Sequence, residues 1–253
     1  MKAALVQQAA EVVLAARHAV ALTGAGISTP SGIPDFRSPA SGLWQQADPM
    51  VVASLQGFRR NPQAFYDWLR PLARQTAAAR PNPAHRALAA LERAGRLRAV
   101  VTQNIDGLQQ AAGSRRVLEL HGHLRTATCL HCGRRTPGMG LLEALVASAE
   151  VPRCGQCGDV VKPDVVLFGE LLPVGVLQEA EAEASGCDVM LVAGSSLTVM
   201  PASLLPEVAL ERGARLIIAN RTTTELDRRA AVVLREDVAE ALPAVAKACG
   251  LSV

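Results

Sequence analysis

AVALTGAGIS, residues 19–28, is a short apolar run of small and branched side chains that ends in Thr23 and a glycine turn, Gly24-Ala25-Gly26. Four apolar residues followed by a flexible turn mark a buried strand entering a loop. The same grammar recurs along the chain. RLRAVVTQNID (96–106), CDVMLVAGSSL (187–197) and ARLIIAN (214–220) are apolar runs that end in polar residues, and VVLRED (232–237) is a weaker one. Between them PAHRALAALERAG (83–95), GVLQEAEAEASG (175–186) and PASLLPEVALERG (201–213) carry helical spacing. Strands that alternate with helices predict a doubly wound parallel sheet of the α/β class. Ligands on such sheets bind at the carboxyl ends of the strands. TGAG, TQNID, GSSL and AN all sit at those ends, so the polar motifs converge on one edge.

Composition sets the limits. The 253 residues are 49% hydrophobic and 19% charged, enough apolar surface to offset the entropy of ordering. A net charge of only +3 argues against nucleic acid as the main partner. The first 20 residues, MKAALVQQAAEVVLAARHAV, are broken by Gln7, Gln8, Glu11 and Arg17, and read as an amphipathic helix rather than a signal segment. No run approaches the ~20 apolar residues that span a bilayer. A cytoplasmic chain with no membrane partner is expected.

Two segments interrupt the strand–helix alternation. Residues 38–80 read as a polar loop followed by helices. Residues 123–160 contain Cys129-x2-Cys132 and Cys154-x2-Cys157, with residues 133–153 between the pairs. In a reducing compartment this spacing predicts one zinc ion rather than disulfides. Gly133 and Gly158 follow the pairs, where a tight metal knuckle turns on a positive φ. Four thiolates complete a tetrahedron and leave no open position, so the ion is structural. His131 lies within the first pair and reads as a surface residue; Cys187 and Cys249 read as small buried apolar groups.

The glycine turn alone is ambiguous. G-x-G-x-x-G would need glycine at 29, and Thr29 stands there. The turn is then either a phosphate-cradling loop or a tight strand–helix connection without a ligand.

Longer strings narrow the choice. GAGISTPSGIPDFRSPASGLW (24–44), TQNIDGL (102–108), AGSRRVLELHG (112–122), the four cysteines, KPDVVLFGE (162–170), GSSLTVMPA (194–202) and IIAN (217–220) occur in an order that resembles the sirtuin family, in its short bacterial-type form. The resemblance spans residues 20–220. It implies a Rossmann-like NAD-binding domain over 1–37, 81–122 and 161–253, with a smaller unit made of a helical insertion (38–80) and a zinc-binding module (123–160). It also implies NAD-dependent removal of acyl groups from protein lysines, giving nicotinamide, O-acyl-ADP-ribose and free lysine. A protein ADP-ribosyltransferase is the alternative, since it would use the same cleavage of NAD.

By the same resemblance His121 is the general base, an imidazole whose ordinary pKa of ~6.5 leaves it largely neutral near pH 7, with Asn104 beside the reacting ribose. Gly24, Ala25, Gly26, Ile27 and Thr29 belong to the cofactor loop. Phe36 covers the nicotinamide and Arg37 contacts the diphosphate. Gln103 faces the ribose, and Ile105 with Asp106 holds the nicotinamide carboxamide. Gly194, Ser195 and Ser196 contact phosphate and adenosine ribose, Asn220 and Arg221 the adenosine, and Val238 the adenine. Val166, Phe168 and Gly169 bind the substrate, an extended peptide carrying the acyl-lysine between the LFGE segment and the GSSLTVMP loop. A monomer is expected.

Departures are few. Gln109 stands where the family commonly has histidine, and Ser195 where it commonly has threonine. Tyr66 is followed three residues later by Leu69, with Arg70 one position late, unlike the Tyr-x-x-Arg of relatives that remove acidic acyl groups. Neutral acyl groups, acetyl first, are expected. His18, His85 and His123 have ordinary helical or loop readings. Six of the seven aromatics (Phe36, Trp44, Phe58, Phe65, Tyr66, Trp68) fall between residues 36 and 68, and Phe168 is the seventh.

Overall fold

The structure is a computed structural model that describes residues 3–35, 48–138, 147–148 and 150–253. Its frame is a six-stranded parallel sheet made of β1 (Ala19–Thr23), β2 (Ala99–Thr102), β3 (Val117–Glu119), β7 (Val189–Ala193), β8 (Arg215–Ala219) and β9 (Val232–Leu234). The spatial order is β3-β2-β1-β7-β8-β9, so the winding reverses between β1 and β7. Period-two alternation decides which side chain faces which layer. Ala21, Val100, Leu191 and Ile217 pack against helices Ala3–Ala15, Pro83–Arg93 and Val238–Ala248. Val20, Leu22, Val101, Met190 and Ile218 pack on the opposite face, under helices Val174–Gly186 and Leu205–Glu211. Both faces are covered, which is why these strands read as unbroken apolar runs.

Local rules account for the helix boundaries. The N-terminal helix buries Val6, Ala9, Ala10, Val12 and Val13 as one stripe. Asn82 caps helix Pro83–Arg93, which opens on proline; the His85 side chain returns a bond to the Asn82 backbone and completes a capping box. The predicted helix over 201–213 begins as a 3-10 turn at Ala202–Leu204 and becomes α-helical at Leu205.

The smaller unit has its own sheet. β4 (Gly122–Cys129), β5 (Arg135–Pro137) and β6 (Val161–Val165) pair antiparallel in the order β5-β4-β6. This differs from the expected boundary at residue 160, because β6 leaves the zinc module still paired to β4 rather than joining the large sheet. β3 is likewise a separate edge strand that the sequence reading passed over: three residues are too few to show a period. Helices Leu55–Arg60 and Pro62–Ala78, which follow the short helix Pro49–Val52, pack on the small sheet through Phe58, Phe65, Tyr66, Leu69 and Leu72, clustered with Leu124, Val165 and Leu167. Phe65 meets Phe58 and Tyr66 edge to face, at centroid distances of 5.0 and 5.2 Å. Phe58, Phe65 and Tyr66 thus sit in the core of the smaller unit, and among the described residues the strands of the large sheet hold no aromatic.

Candidate active site

Four strands of the large sheet end in the residues singled out above, and the ladder continues one residue past each strand. The Gly24 amide donates to Ala193 O (3.1 Å), Gln103 to Thr23 O (2.9 Å), Gly194 to Ala219 O (2.9 Å) and Asn220 to Leu234 O (3.0 Å). These bonds hold the four polar ends in a row at the carboxyl edge, beside the reversal point between β1 and β7. A cavity of about 750 Å³ opens there, between the two units.

Its floor is two glycine loops in contact. The Gly26 amide donates to Gly194 O at 2.8 Å. A Cβ on Gly24 or Gly26 would lie 2.8 Å from that same oxygen, so neither position tolerates a side chain. The absence of a side chain at Gly24, Gly26 and Gly194 leaves room for a ligand to approach the backbone, while the amides of these three glycines are spent on the Ala193, Gly194 and Ala219 carbonyls.

Above the floor lies a closed hydrogen-bond network. Ser28 Oγ donates to Asp106 Oδ2 at 2.6 Å and accepts from Asn104 Nδ2 at 3.1 Å. Asn104 Nδ2 also reaches Gly24 O at 3.1 Å, tying β2's end to the glycine turn. Asp106 Oδ1 accepts from the Leu108 amide at 2.9 Å. Burial pushes the Asp106 carboxyl upward in pKa, against the Ser28 hydroxyl and Leu108 amide, which favour its charged form. On the far side of Ser28, His85 Nε2 lies 3.4 Å away. The Asn82 amide donates to His85 Nδ1 (3.3 Å), so the neutral ring carries its proton on Nε2 and points it at Ser28. His85 is fully buried, and burial with the nearby Arg86 charge lowers its pKa to about 4. Ser28 and His85 were not among the expected site residues. The signal was present in the capping pattern N-P-x-H, but its meaning depends on burial next to residue 28.

His121 lines the cavity directly. Its Nδ1 lies 2.8 Å from Gln103 O, a pure acceptor, so Nδ1 carries the proton and Nε2 is the lone-pair nitrogen of the neutral ring. Gln103 Nε2 in turn donates to Ser195 Oγ at 3.0 Å.

Most expected site residues meet at this cavity. Gly24, Ala25, Gly26, Gln103, Asn104, Ile105, Asp106, His121, Val166, Phe168, Gly169, Gly194, Ser195, Ser196 and Asn220 line it. Four do not. Ile27 and Val238 are packed in the core of the large unit. Thr29 Oγ1 bonds back to Gly26 O at 3.1 Å, and Arg221 pairs with Asp237 at the surface. Thr222, whose carbonyl accepts from Asn220 Nδ2 (3.0 Å) and from Arg235 (2.7 Å), lines the cavity in place of Arg221. Phe36 and Arg37, like Trp44, lie outside the described residues. The deep wall, unforeseen in detail, is apolar: Ile33, Phe65, Leu69, Leu72, Val165 and Leu167.

The cysteines meet as expected. All four Sγ atoms lie within 4.8 Å of one another, with separations of 3.5 Å (Cys129–Cys157), 3.7 Å (Cys132–Cys154) and 3.6 Å (Cys132–Cys157). A tetrahedron with Zn–S of ~2.3 Å needs sulfurs roughly 3.8 Å apart, so the donor set fits zinc. Gly133 and Gly158 turn the two knuckles at φ 70° and 76°. Cys187 is buried, and Cys249 is half-buried. His131 is exposed, 3.9 Å from Asp159.

A six-stranded parallel sheet with a glycine-floored crevice and a four-cysteine module defines an α/β dinucleotide-type binding protein with an inserted small unit. Comparison makes this specific. The model of the Sir2 family matches residues 24–201, and the chain belongs to that family. It is 48% identical to the NAD-dependent protein deacylase 2 of Archaeoglobus fulgidus, over 95% of this chain and 94% of that protein. It is 46% identical to the NAD-dependent protein deacetylase of Sulfurisphaera tokodaii, over 93% and 92%. Among solved structures, one described as a basis for the mechanism and regulation of Sir2 enzymes superposes with a TM-score of 0.92 at 46% identity, covering 98% of both chains. The structure of Sir2Af2 bound to a myristoylated histone peptide superposes with 0.83 at 42% identity, over 97% and 96%.

Proposed function

We propose that the chain removes acyl groups, acetyl first, from lysines of proteins in an NAD-dependent reaction that releases nicotinamide, O-acyl-ADP-ribose and free lysine. The observation that carries this reading is His121: a cavity-lining imidazole whose proton is held on Nδ1 by Gln103 O, so that Nε2 can accept one.

The division of labour follows from the walls. The glycine floor and Ser195 suit a diphosphate and its ribose, and Asn220 with Thr222 suits the adenosine end. Asp106 and the Ile105 backbone accept from the nicotinamide carboxamide. NAD supplies a ribose C1′ from which nicotinamide can depart. Asn104, held by Gly24 O and Ser28, orients the groups next to that carbon, and His121 Nε2 takes a proton from a ribose hydroxyl. Ile33, Leu69, Leu72, Val165 and Leu167 exclude water around the acyl chain, while Val166, Phe168 and Gly169 present the peptide edge. Phe36 and Arg37 retain their expected roles over the nicotinamide and at the diphosphate.

Two further features support a neutral acyl group. Among the described residues no Arg or Lys lines the cavity. Tyr66 is turned away, its hydroxyl donating to Val161 O, and Arg70 bonds Asp67 and Ser148 O.

Cys129, Cys132, Cys154 and Cys157 would hold one zinc ion, whose role is to staple the small sheet. Four thiols arranged for a metal fit a reducing, cytoplasmic setting. Among the described residues no helix is long and apolar enough to cross a membrane.

The test is nicotinamide release from NAD with and without an acetyl-lysine peptide, followed by intact mass of the peptide. Release that depends on the peptide, with loss of 42 Da per acetyl group (~42 by elementary composition), supports the reading. A gain of ADP-ribose on the peptide, or activity undiminished in His121→Ala, overturns it.

A further inference from the structure

Strand β6 holds a buried charge that the proposed mechanism does not use. Lys162 is buried, with only 8% of its surface exposed. Its Nζ donates to Pro163 O (3.0 Å) and Val165 O (2.7 Å), and lies 3.1 Å from Glu170 Oε2. An ammonium has three N–H donors, and these three partners use them all. Glu170 is equally committed: the same Oε2 accepts from the Leu167 amide at 2.8 Å, while the Glu170 amide donates to Leu167 O at 3.0 Å. The turn Leu167–Glu170, which passes through Gly169 at φ 84°, is therefore closed twice by Glu170. Lys162 fixes the carboxylate that closes it.

That turn forms the lip of the cavity, through Phe168, Gly169 and Glu170. Its backbone is tied to neighbouring elements at Val166 and Phe168. The Val166 amide donates to His121 O (2.8 Å), the Phe168 amide to Ala53 O (2.9 Å), and the Leu55 amide to Phe168 O (3.0 Å). The glycine crevice shares none of these bonds; it is held by β1, β7 and the Asn104–Ser28 network.

We propose that Lys162, acting through Glu170, is a positioning residue that orders the Leu167–Glu170 lip against which the acyl-peptide binds, separately from the NAD crevice. The inference rests on the deacylase reading for its kinetic consequence, but not for its structural one. Removing the ammonium leaves two carbonyls of β6 and the half-buried Glu170 carboxylate without their shared donor, a loss that falls on the end of β6 and on the lip rather than on the glycine crevice.

The test compares Lys162→Met, Glu170→Ala and Glu170→Gln with wild type by amide hydrogen exchange and by steady-state kinetics in NAD and in acetyl-lysine peptide. Glutamine keeps a side-chain oxygen for both the Leu167 amide and Lys162, so Glu170→Gln is the conservative rescue. The expected result is exchange at 166–171 faster by at least tenfold in Lys162→Met and Glu170→Ala, with 24–32 unchanged. Peptide KM rises at least tenfold in the same two variants, KM for NAD stays within twofold, and Glu170→Gln falls within threefold of wild type throughout. Unchanged exchange at the lip, or a peptide KM and an NAD KM that rise together, overturns the proposal. If Lys162→Met does not fold, the contrast between Glu170→Ala and Glu170→Gln decides. If wild type releases no nicotinamide with peptide, the deacylase reading fails, and the exchange data still judge the clamp.

Discussion

Gly26 and Gly194 meet backbone to backbone: the Gly26 amide donates to Gly194 O at 2.8 Å, and a Cβ added to Gly194 would stand 2.2 Å from the Ile27 nitrogen. Gly194 also sits at φ 62°, a conformation that costs other residues about 1–2 kcal/mol. The contact joins the ends of β1 and β7 at the point where the winding of the sheet reverses.

Gly194→Ala is therefore expected to cost more than the conformational penalty alone, about 3 kcal/mol or more once the clash is included. Gly213, at φ 88° with open space around its Cβ position, is the control: Gly213→Ala costs only about 1 kcal/mol. Urea denaturation measures both. KM for NAD should rise in the first variant and not in the second.

His85 gives the fold an acid limit. Its folded pKa is lowered from 6.5 to about 4, so the unfolded chain binds the extra proton over that interval. Stability from this group is fully present above pH 6.5 and is lost as pH falls toward 4, by roughly 2 kcal/mol at pH 5. His85→Asn should flatten this limb. The difference between wild type and variant in denaturant midpoints at pH 7 and pH 5 isolates it from any proton effect on the cysteines.

Chelation should disable the enzyme without touching the crevice. Of the four cysteines only Cys129 and Cys154 are buried, and among the described residues their apolar cluster adds just Ala127 and Val161, so the module depends on its metal. Cys132→Ser should abolish stoichiometric zinc, lower the melting temperature and remove activity, because β6 runs straight from the module into Val166–Gly169. Metal analysis with calorimetry checks it; full activity in a zinc-free protein would contradict it.

Acyl selectivity follows from the cavity wall. A succinyl carboxylate would be buried against Leu69, Leu72 and Leu167 without a cation among the described lining residues, a cost of at least about 2 kcal/mol. Acetyl-lysine peptides are expected to exceed succinyl-lysine peptides by at least thirtyfold in kcat/KM. Matched peptides measured side by side decide it.

His121→Ala should lower kcat by at least a hundredfold while leaving NAD affinity within a few-fold, since Gln103 and Asn104 keep their own anchors at Ser195 and Gly24. Calorimetric titration with NAD separates the two effects.

What could be read from residue order was whatever is encoded locally. AVALTGAGIS announced its strand and turn because apolar period and glycine are properties of neighbours in the chain. The two Cys-x2-Cys pairs announced a metal because a knuckle is a local loop. Long motifs placed His121, Asn104 and Asp106, and the structure brings them to one cavity. Tertiary packing alone decided the rest. That β6 belongs to the small sheet was decided by its pairing with β4, whose partner residues lie 32 or more positions away in the chain. His85 became a buried proton donor to Ser28 because helix Pro83–Arg93 packs across the glycine turn. Lys162, one charge in KPDVVLFGE, gained its meaning only when Glu170 folded back onto it. Local chemistry is written residue by residue, whereas the partner of a buried polar group is chosen by elements that meet in space.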